Sequence, residues 1–427
     1  MSRPGFAYLF ERFPSFVQAF CFREVLAMDA QGMDPLVFSI REAEQRSEAD
    51  FPEGLMERVH FLPSAEALNS RVKALRKEDA IPQEVWELFK FWGEKGDKAR
   101  LYEAHYIGTI LREKKVRHVH CHFAGIAART AFWMKRMFGI SYSFTGHAND
   151  IFCEGDFPVA LEELIRESRF VATVSDFSKG WLREKFPGYA RKIFRVYNGI
   201  EVEKFAGPGP SDEPHIVSVG RLVEKKGFDD LIRACGVLRD RGVVFRCSIA
   251  GSGPQQDELR ALIESLDLSK KVHLLGALSE KEVIPLLHQA KIFALACVTE
   301  SDGGKDNLPT VIMEAMAASL PVVSTSVAGV PEMIVDGKTG WVTPERRPEA
   351  FADRLQTVLN EKDVAARMGL AGREMAARDF AVAVTARQLK RLMVRKGRGF
   401  ATAGAVMSDP LLLVDVLAVL PQRLMGR

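Results

Sequence analysis

"HIVSVGRLVEKKGFDDLIRACGVLRD", residues 215–240, holds a strand, a basic loop and a helix in that order. "HIVSVG" is a short apolar run of the kind that forms a buried strand. "GFDDLIRACGVLRD" carries apolar residues at 231, 232, 235 and 238, the spacing of one helix face. The same alternation runs on. "VFRCSIAG", "KVHLLG", "KIFALAC" and "PVVST" read as strands, and "PQQDELRALIESL" and "SEKEVIPLLHQA" as helices between them. Further helices are expected near "GVPEMIV" and within 348–360. Strands alternating with helices at this spacing build a parallel, doubly wound α/β sheet. Ligands of such sheets sit at the carboxyl ends of the strands, in the loops that lead into the helices.

Two of those loops carry chemistry. Arg221 and Lys226 follow the first strand of this half. A guanidinium fork and a compact ammonium are what a diphosphate needs, although a single loop lysine is ordinarily just a solvated charge. "KDNLPTVIMEAMA", residues 305–317, follows a later strand and sets Asp306 eight positions before Glu314. Pro309 suits the first turn of a helix, where its missing N–H costs nothing. Asp306 then lies just ahead of the helix and Glu314 between one and two turns inside it. The helix N-terminus between them, with unpaired N–H groups and a partial positive charge, is a natural seat for phosphate.

The first half alternates less regularly. Strand-like runs occur at "FAYLF", "PLVFSI", "HVHCHF", "SYSFTG", "FVATVS" and "IFRVYNG", with a clear helix at "GIAARTAFWMKRMFG". "FAGPGPSDEPH", residues 205–215, has the proline and glycine content of a linker. The expected organisation is an N-terminal Rossmann-like domain over 1–205, a linker over 206–214, a second such domain over 215–380, and a helical segment over 381–427 that returns to the first domain. A chain of 427 residues fits two cores better than one.

An apolar fraction of 47% and a charged fraction of 27% are those of a globular protein, and a net charge of +3 is too small to point to nucleic acid as a partner. The six cysteines, at 21, 121, 153, 235, 247 and 297, show no paired or metal-ligand spacing and read as reduced, mostly buried thiols. "MSRPGFAYLFERFPSF" lacks the apolar core of a signal peptide, and no apolar run has the length of a spanning helix. A cytoplasmic protein is expected.

The "GR…KG" loop at 220–227, "AGSGP" at 250–254 and "DNLPTVIMEAMA" at 306–317 together resemble the retaining glycosyltransferases of the group 1 family, which have the GT-B fold of two Rossmann-like domains facing a central cleft. "HVHCHFA" and "FTGHANDIF" point to the exopolysaccharide, colanic-acid type. The resemblance implies a hexosyltransferase that takes a nucleotide-sugar donor, with retention and without a metal, to a saccharide acceptor that is often lipid-linked. It implies that Arg221 and Lys226 grip the donor diphosphate, with Gly251 and Gly253 beside them. Glu314 would accept the ribose hydroxyls, Asp306 the hydroxyls of the donor sugar, and the segment Asn307, Leu308, Pro309 and Thr310 would face phosphate. His147 would lie near the reacting bond, with His122 and Asp150 toward the acceptor and Asp150 orienting its loop. The chain departs from the family at Asp306 and Asn307, where most members have Glu and Gly, and "ERFPSFVQAF" replaces the usual glycine-rich N-terminal loop.

His118, His120 and His122 alternate along one strand and so share a face. They are expected to end at the cleft, with His122 facing acceptor or polar core, and no metal site is assigned to them. There is no Asp-x-Asp motif of the metal-dependent transferases. Basic stretches at "LREKKVRH", "WMKRMFG" and "RLMVRKGR" raise the expectation of contact with anionic lipid at the inner face of the cytoplasmic membrane. Two other functions fit the same residues: a sugar-nucleotide epimerase of the same fold, and a non-catalytic subunit that binds nucleotide-sugar within a polysaccharide-assembly complex.

Overall fold

The computed structural model describes residues 5–15, 18–43, 51–153 and 155–394. Seven strands form the first sheet: β1 (Ala7–Arg12), β2 (Leu36–Arg41), β3 (Val59–Phe61), β4 (His118–His122), β5 (Ser141–Gly146), β6 (Val171–Thr173) and β7 (Ile193–Arg195). They pair in parallel in the order β3-β2-β1-β4-β5-β6-β7. Six more form the second: β8 (His215–Val219), β9 (Arg246–Ala250), β10 (Val272–Gly276), β11 (Ile292–Leu295), β12 (Val322–Thr325) and β13 (Gly340–Thr343), in the order β10-β9-β8-β11-β12-β13. In both sheets the direction of winding reverses beside the first strand, at β1/β4 and at β8/β11, and crevices for ligands open at such points.

The strand cores are nearly continuous apolar runs because helices cover both faces. Phe293, Ala294 and Leu295 of β11 are fully buried between helices, as are Val322 and Val323 of β12. "GFDDLIRACGVLRD" becomes helix Phe228–Asp240, with Leu231, Ile232, Cys235 and Leu238 in the core. "GIAARTAFWMKRMFG" becomes helix Ile126–Phe138, closed by Gly139 in the left-handed region at φ 66°. The sequence pattern missed β3 and β13, short edge strands that are only partly buried and so carry no continuous apolar run. Pro309 stands one residue ahead of helix Thr310–Ala317, at its cap, and not within the first turn. All six cysteines are free thiols, five of them buried.

After the second sheet the chain crosses back. Ile200 exchanges backbone hydrogen bonds with Phe380 and Val382, and helix Val382–Val394 lies on helix Ala19–Ala30. Ala386, Leu389 and Met393 complete a core with Tyr8, Phe10, Val25 and Met28 of the first domain. The tail after Val394, including the second half of "RLMVRKGR", lies outside the described residues. No helix among the described residues is long and apolar enough to cross a membrane.

Candidate functional site

The carboxyl ends of the two sheets face each other across a cavity of about 610 Å³. Arg221, Lys226, Gly251, Asp306, Asn307, Leu308, Pro309, Thr310 and Glu314 line it from the second domain, and His147 and Asp150 from the first. Of the residues singled out in the sequence, Gly253 and His122 do not reach its wall.

On the second-domain bank the loops are held by backbone. The amide of Gly220 donates to Ala250 O at 3.0 Å and that of Leu222 to Ser252 O at 2.9 Å, zipping the loop after β8 to the loop after β9. Gly251 permits this approach, because a Cβ there would fall 1.8 Å from Gly220 O, and its φ of +151° is open to glycine. Gly253 does the same against Leu222 O at 2.4 Å, so its contribution is to loop packing. Lys226 and Asp306, from the loops after β8 and β11, form an ion pair at the switch point. The lysine side chain is only 12% exposed, not an open loop charge. Burial alone would lower its pKa, but the Asp306 carboxylate outweighs that and leaves it raised. Arg221 is exposed beside the cavity and has no ion-pair partner among the described residues. Glu300 and Asp302, the other acids of that loop, do not line the cavity; Asp302 accepts from the Gly304 amide at 2.8 Å.

Glu314 meets an unexpected partner. Arg23, from helix Ala19–Ala30 of the first domain, reaches across and donates through Nη1 to Glu314 Oε1 at 3.0 Å, while its Nη2 pairs with Glu280. Arg23 is 3% exposed, and its Nε is buried without a hydrogen-bond partner. Burial opposes the charge, and Glu314 and Glu280 together overcome it. Lys204 balances the second face of Glu280.

The first-domain bank rests on a ladder of histidines. In register across β4 and β5, His118 bonds Ser141 and Ser143, and His120 bonds Ser143 at 2.8 Å and Thr145 at 3.0 Å. Glu24, His120 and His122 lie close enough together to hold a metal ion, but His120 already uses both ring nitrogens on the hydroxyls. His122, expected toward the acceptor or in polar core, takes the second place: it is 1% exposed and stands behind His147. His147 follows β5 with its ring between Phe20 and Phe123, at centroid distances of 4.8 and 4.4 Å. Asp150 accepts from the amides of Ala124, His147 and Ala148 at 2.8–3.2 Å, so its carboxylate orients the loop.

Asn307 joins the two banks. Its Nδ2 donates to His147 O and its Oδ1 accepts from Ser175 Oγ, each at 2.6 Å, with the side chain fully enclosed. Nearby, Glu332 of the second domain accepts from the amides of Asp176 and Phe177 at the start of helix Asp176–Lys185. Arg23, Glu24, Ser175 and Glu280 were not found in the sequence. The one available signal was a charged pair, Arg23-Glu24, inside the apolar run "AFCFREVLAM".

The model of the family of glycosyl transferases, group 1, matches residues 200–375. That bears out the resemblance drawn from the motifs of the second half. A colanic acid biosynthesis glycosyltransferase, WcaL, of Escherichia coli K12 is 36% identical over 237 residues, 54% of this chain and 58% of that protein. The amylovoran biosynthesis glycosyltransferase AmsK of Erwinia amylovora is 36% identical over 210 residues, 48% of this chain and 51% of that protein. The matched region thus spans little more than half the length of these relatives. Among solved structures, Anabaena HepE in complex with UDP superposes with a TM-score of 0.68 at 17% identity, over 90% of this chain and 98% of HepE. At that identity the likeness speaks for the fold, which is GT-B.

Proposed function

We propose that this protein transfers a hexose from a nucleotide-sugar donor, with retention, to a saccharide acceptor in exopolysaccharide synthesis, the acceptor being carried on a lipid. The observation that carries the reading is the convergence on one cavity of Arg221, the Lys226–Asp306 pair, the start of helix Thr310–Ala317 and Glu314. Arg221, Lys226 and the helix terminus stabilise charge that develops on the departing diphosphate. The acceptor oxygen attacks the anomeric carbon on the face the phosphate leaves, and the leaving phosphate oxygen takes the acceptor's proton. Glu314 reads the ribose hydroxyls and Asp306 the donor sugar, each sharing its charge with a cation already in place. Contacts between the banks exclude water and so limit donor hydrolysis. No step calls for a metal ion. WcaL and AmsK, both named for polysaccharide biosynthesis, support the pathway class, and HepE, solved with UDP, supports a nucleotide-sugar donor.

A thermal-shift panel of nucleoside diphosphates and nucleotide-sugars tests the donor. A ligand at a hundredfold excess over its Kd adds about 2.7 kcal/mol, so the cognate base and sugar should stand out. No shift with any member of the panel sinks the reading, and conversion of the donor to its epimer without acceptor replaces it with an epimerase. For membrane contact, Lys114, Lys115 and Arg117 are exposed, whereas Lys135 and Arg136 are engaged by Glu167. Sedimentation with anionic vesicles at low salt, reversed by high salt, is expected; equal recovery in the supernatant with neutral and anionic vesicles retires the idea.

A further inference from the structure

Behind the cavity wall three titratable groups form a file that ends at the site. Glu24 Oε1 lies 3.1 Å from His122 Nε2, and His122 Nδ1 lies 3.0 Å from His147 Nε2. The remaining ring nitrogen, Nδ1 of His147, has no partner among the described residues, and His147 lines the cavity. The polar and titratable groups facing His122 are Cys21 and Glu24 from helix Ala19–Ala30, Tyr8 from β1, His120 from β4 and His147 itself. Tyr8 donates to the same Glu24 oxygen at 2.6 Å and so holds that carboxylate in place.

The file has two proton arrangements, and they present opposite chemistry to the cavity. With His122 as imidazolium, both its nitrogens donate, one to Glu24 and one to His147. His147 must then accept at Nε2 and carry its proton on Nδ1. With His122 neutral and its proton on Nε2, His147 donates from Nε2 and turns a bare Nδ1 to the cavity. We propose that Glu24 and His122 are positioning residues that lock His147 as the neutral Nδ1–H form, so that it offers a hydrogen-bond donor, not a base, to an oxygen of the bound substrate. The electrostatics run the same way. Burial works against charge on His122; burial also keeps the Cys21 thiol protonated, so the Glu24 carboxylate is the counter-charge that raises the His122 pKa. Burial and the neighbouring His122 hold His147 well below the usual histidine range.

That the oxygen belongs to a sugar donor or acceptor rests on the glycosyl-transfer reading; the proton arrangement does not. The test is a two-bond ¹H–¹⁵N spectrum of ¹⁵N-histidine-labelled full chain at pH 7, with His147 assigned by its loss in His147→Asn. His147 should show a protonated Nδ1 and a bare Nε2, and His122 should be doubly protonated. In Glu24→Gln the His122 charge loses its counter-ion, and His147 should switch to the Nε2–H form. In parallel, Glu24→Gln should lower kcat for donor turnover about tenfold, the worth of one hydrogen bond, with donor KM little changed. Glu24→Asp should restore most of it. An Nε2–H form of His147 in the wild type, or no switch in Glu24→Gln, overturns the proposal, and the wild-type spectrum needs no variant at Glu24 to fold. A wild type with the expected spectrum that turns over no donor overturns the functional reading alone.

Discussion

The second-domain bank of the cleft is built from four short contiguous segments, 219–226, 250–252, 277–283 and 306–314, and their functional atoms include backbone amides at a helix start and a glycine packed against a neighbouring carbonyl. The first-domain bank draws single side chains from distant places: Arg23 and Glu24 on one helix, His122 and His147 at strand ends, Ser175 at a helix cap. A site made of backbone must be encoded locally, because loop path and glycine position are local properties. A site made of side chains needs only a scaffold that brings them together. Variants can show whether the banks work as one unit.

The largest effect is expected from Arg23→Ala. It strips from Glu314 and Glu280, both on the second-domain side, the buried cation that the first domain supplies. Removing one partner of such a group costs about 3–5 kcal/mol, to be read from denaturant unfolding. A loss below about 1 kcal/mol would show that the banks are not coupled through this contact.

Lys226→Ala comes next, with kcat expected to fall on the order of a hundredfold. An exposed loop lysine could be removed at no cost to the fold, but this one is buried against Asp306, so the midpoint of unfolding should drop as well. Near-wild-type turnover removes Lys226 from the site.

Glu314→Gln should weaken a free nucleoside diphosphate by about 1.5–3 kcal/mol in calorimetry, the worth of a charged hydrogen bond. Asp306→Asn should leave that affinity nearly unchanged and lower kcat/KM only with the complete donor. Equal weakening of free nucleotide by both variants ends the division of labour between the two acids. The smallest effect belongs to Ser175→Ala, which deletes the cap of helix Asp176–Lys185 and the bond to Asn307. A stability loss of about 1 kcal/mol is expected, with nucleotide affinity unaffected. An unchanged unfolding midpoint would mean that the Ser175–Asn307 bond adds nothing to the closed cleft.

The α/β class and the elements of the second half could be read from periodicity, since each strand and helix there buries a continuous or regularly spaced apolar face. β3 and β13 escaped because these short edge strands are only partly buried and hold no continuous apolar run. The cavity residues of the second domain were legible for the same local reason: Arg221, Lys226, Asp306 and Glu314 sit at fixed offsets from a strand end or a helix start. Lys226 illustrates the limit, because its position was readable and its burial was not.

Sequence alone therefore set out the two wound sheets, the second-domain bank of the cleft and His147 at the end of β5. Folding supplied the rest: Arg23 laid on Glu314 across 291 residues of chain, Glu24 aligned behind His122 and His147, and Asn307 tied to Ser175. Those contacts join residues with no common period or spacing. They arise because two parallel sheets place their carboxyl edges face to face, and a buried charge brought there must find a counter-charge on the opposite wall.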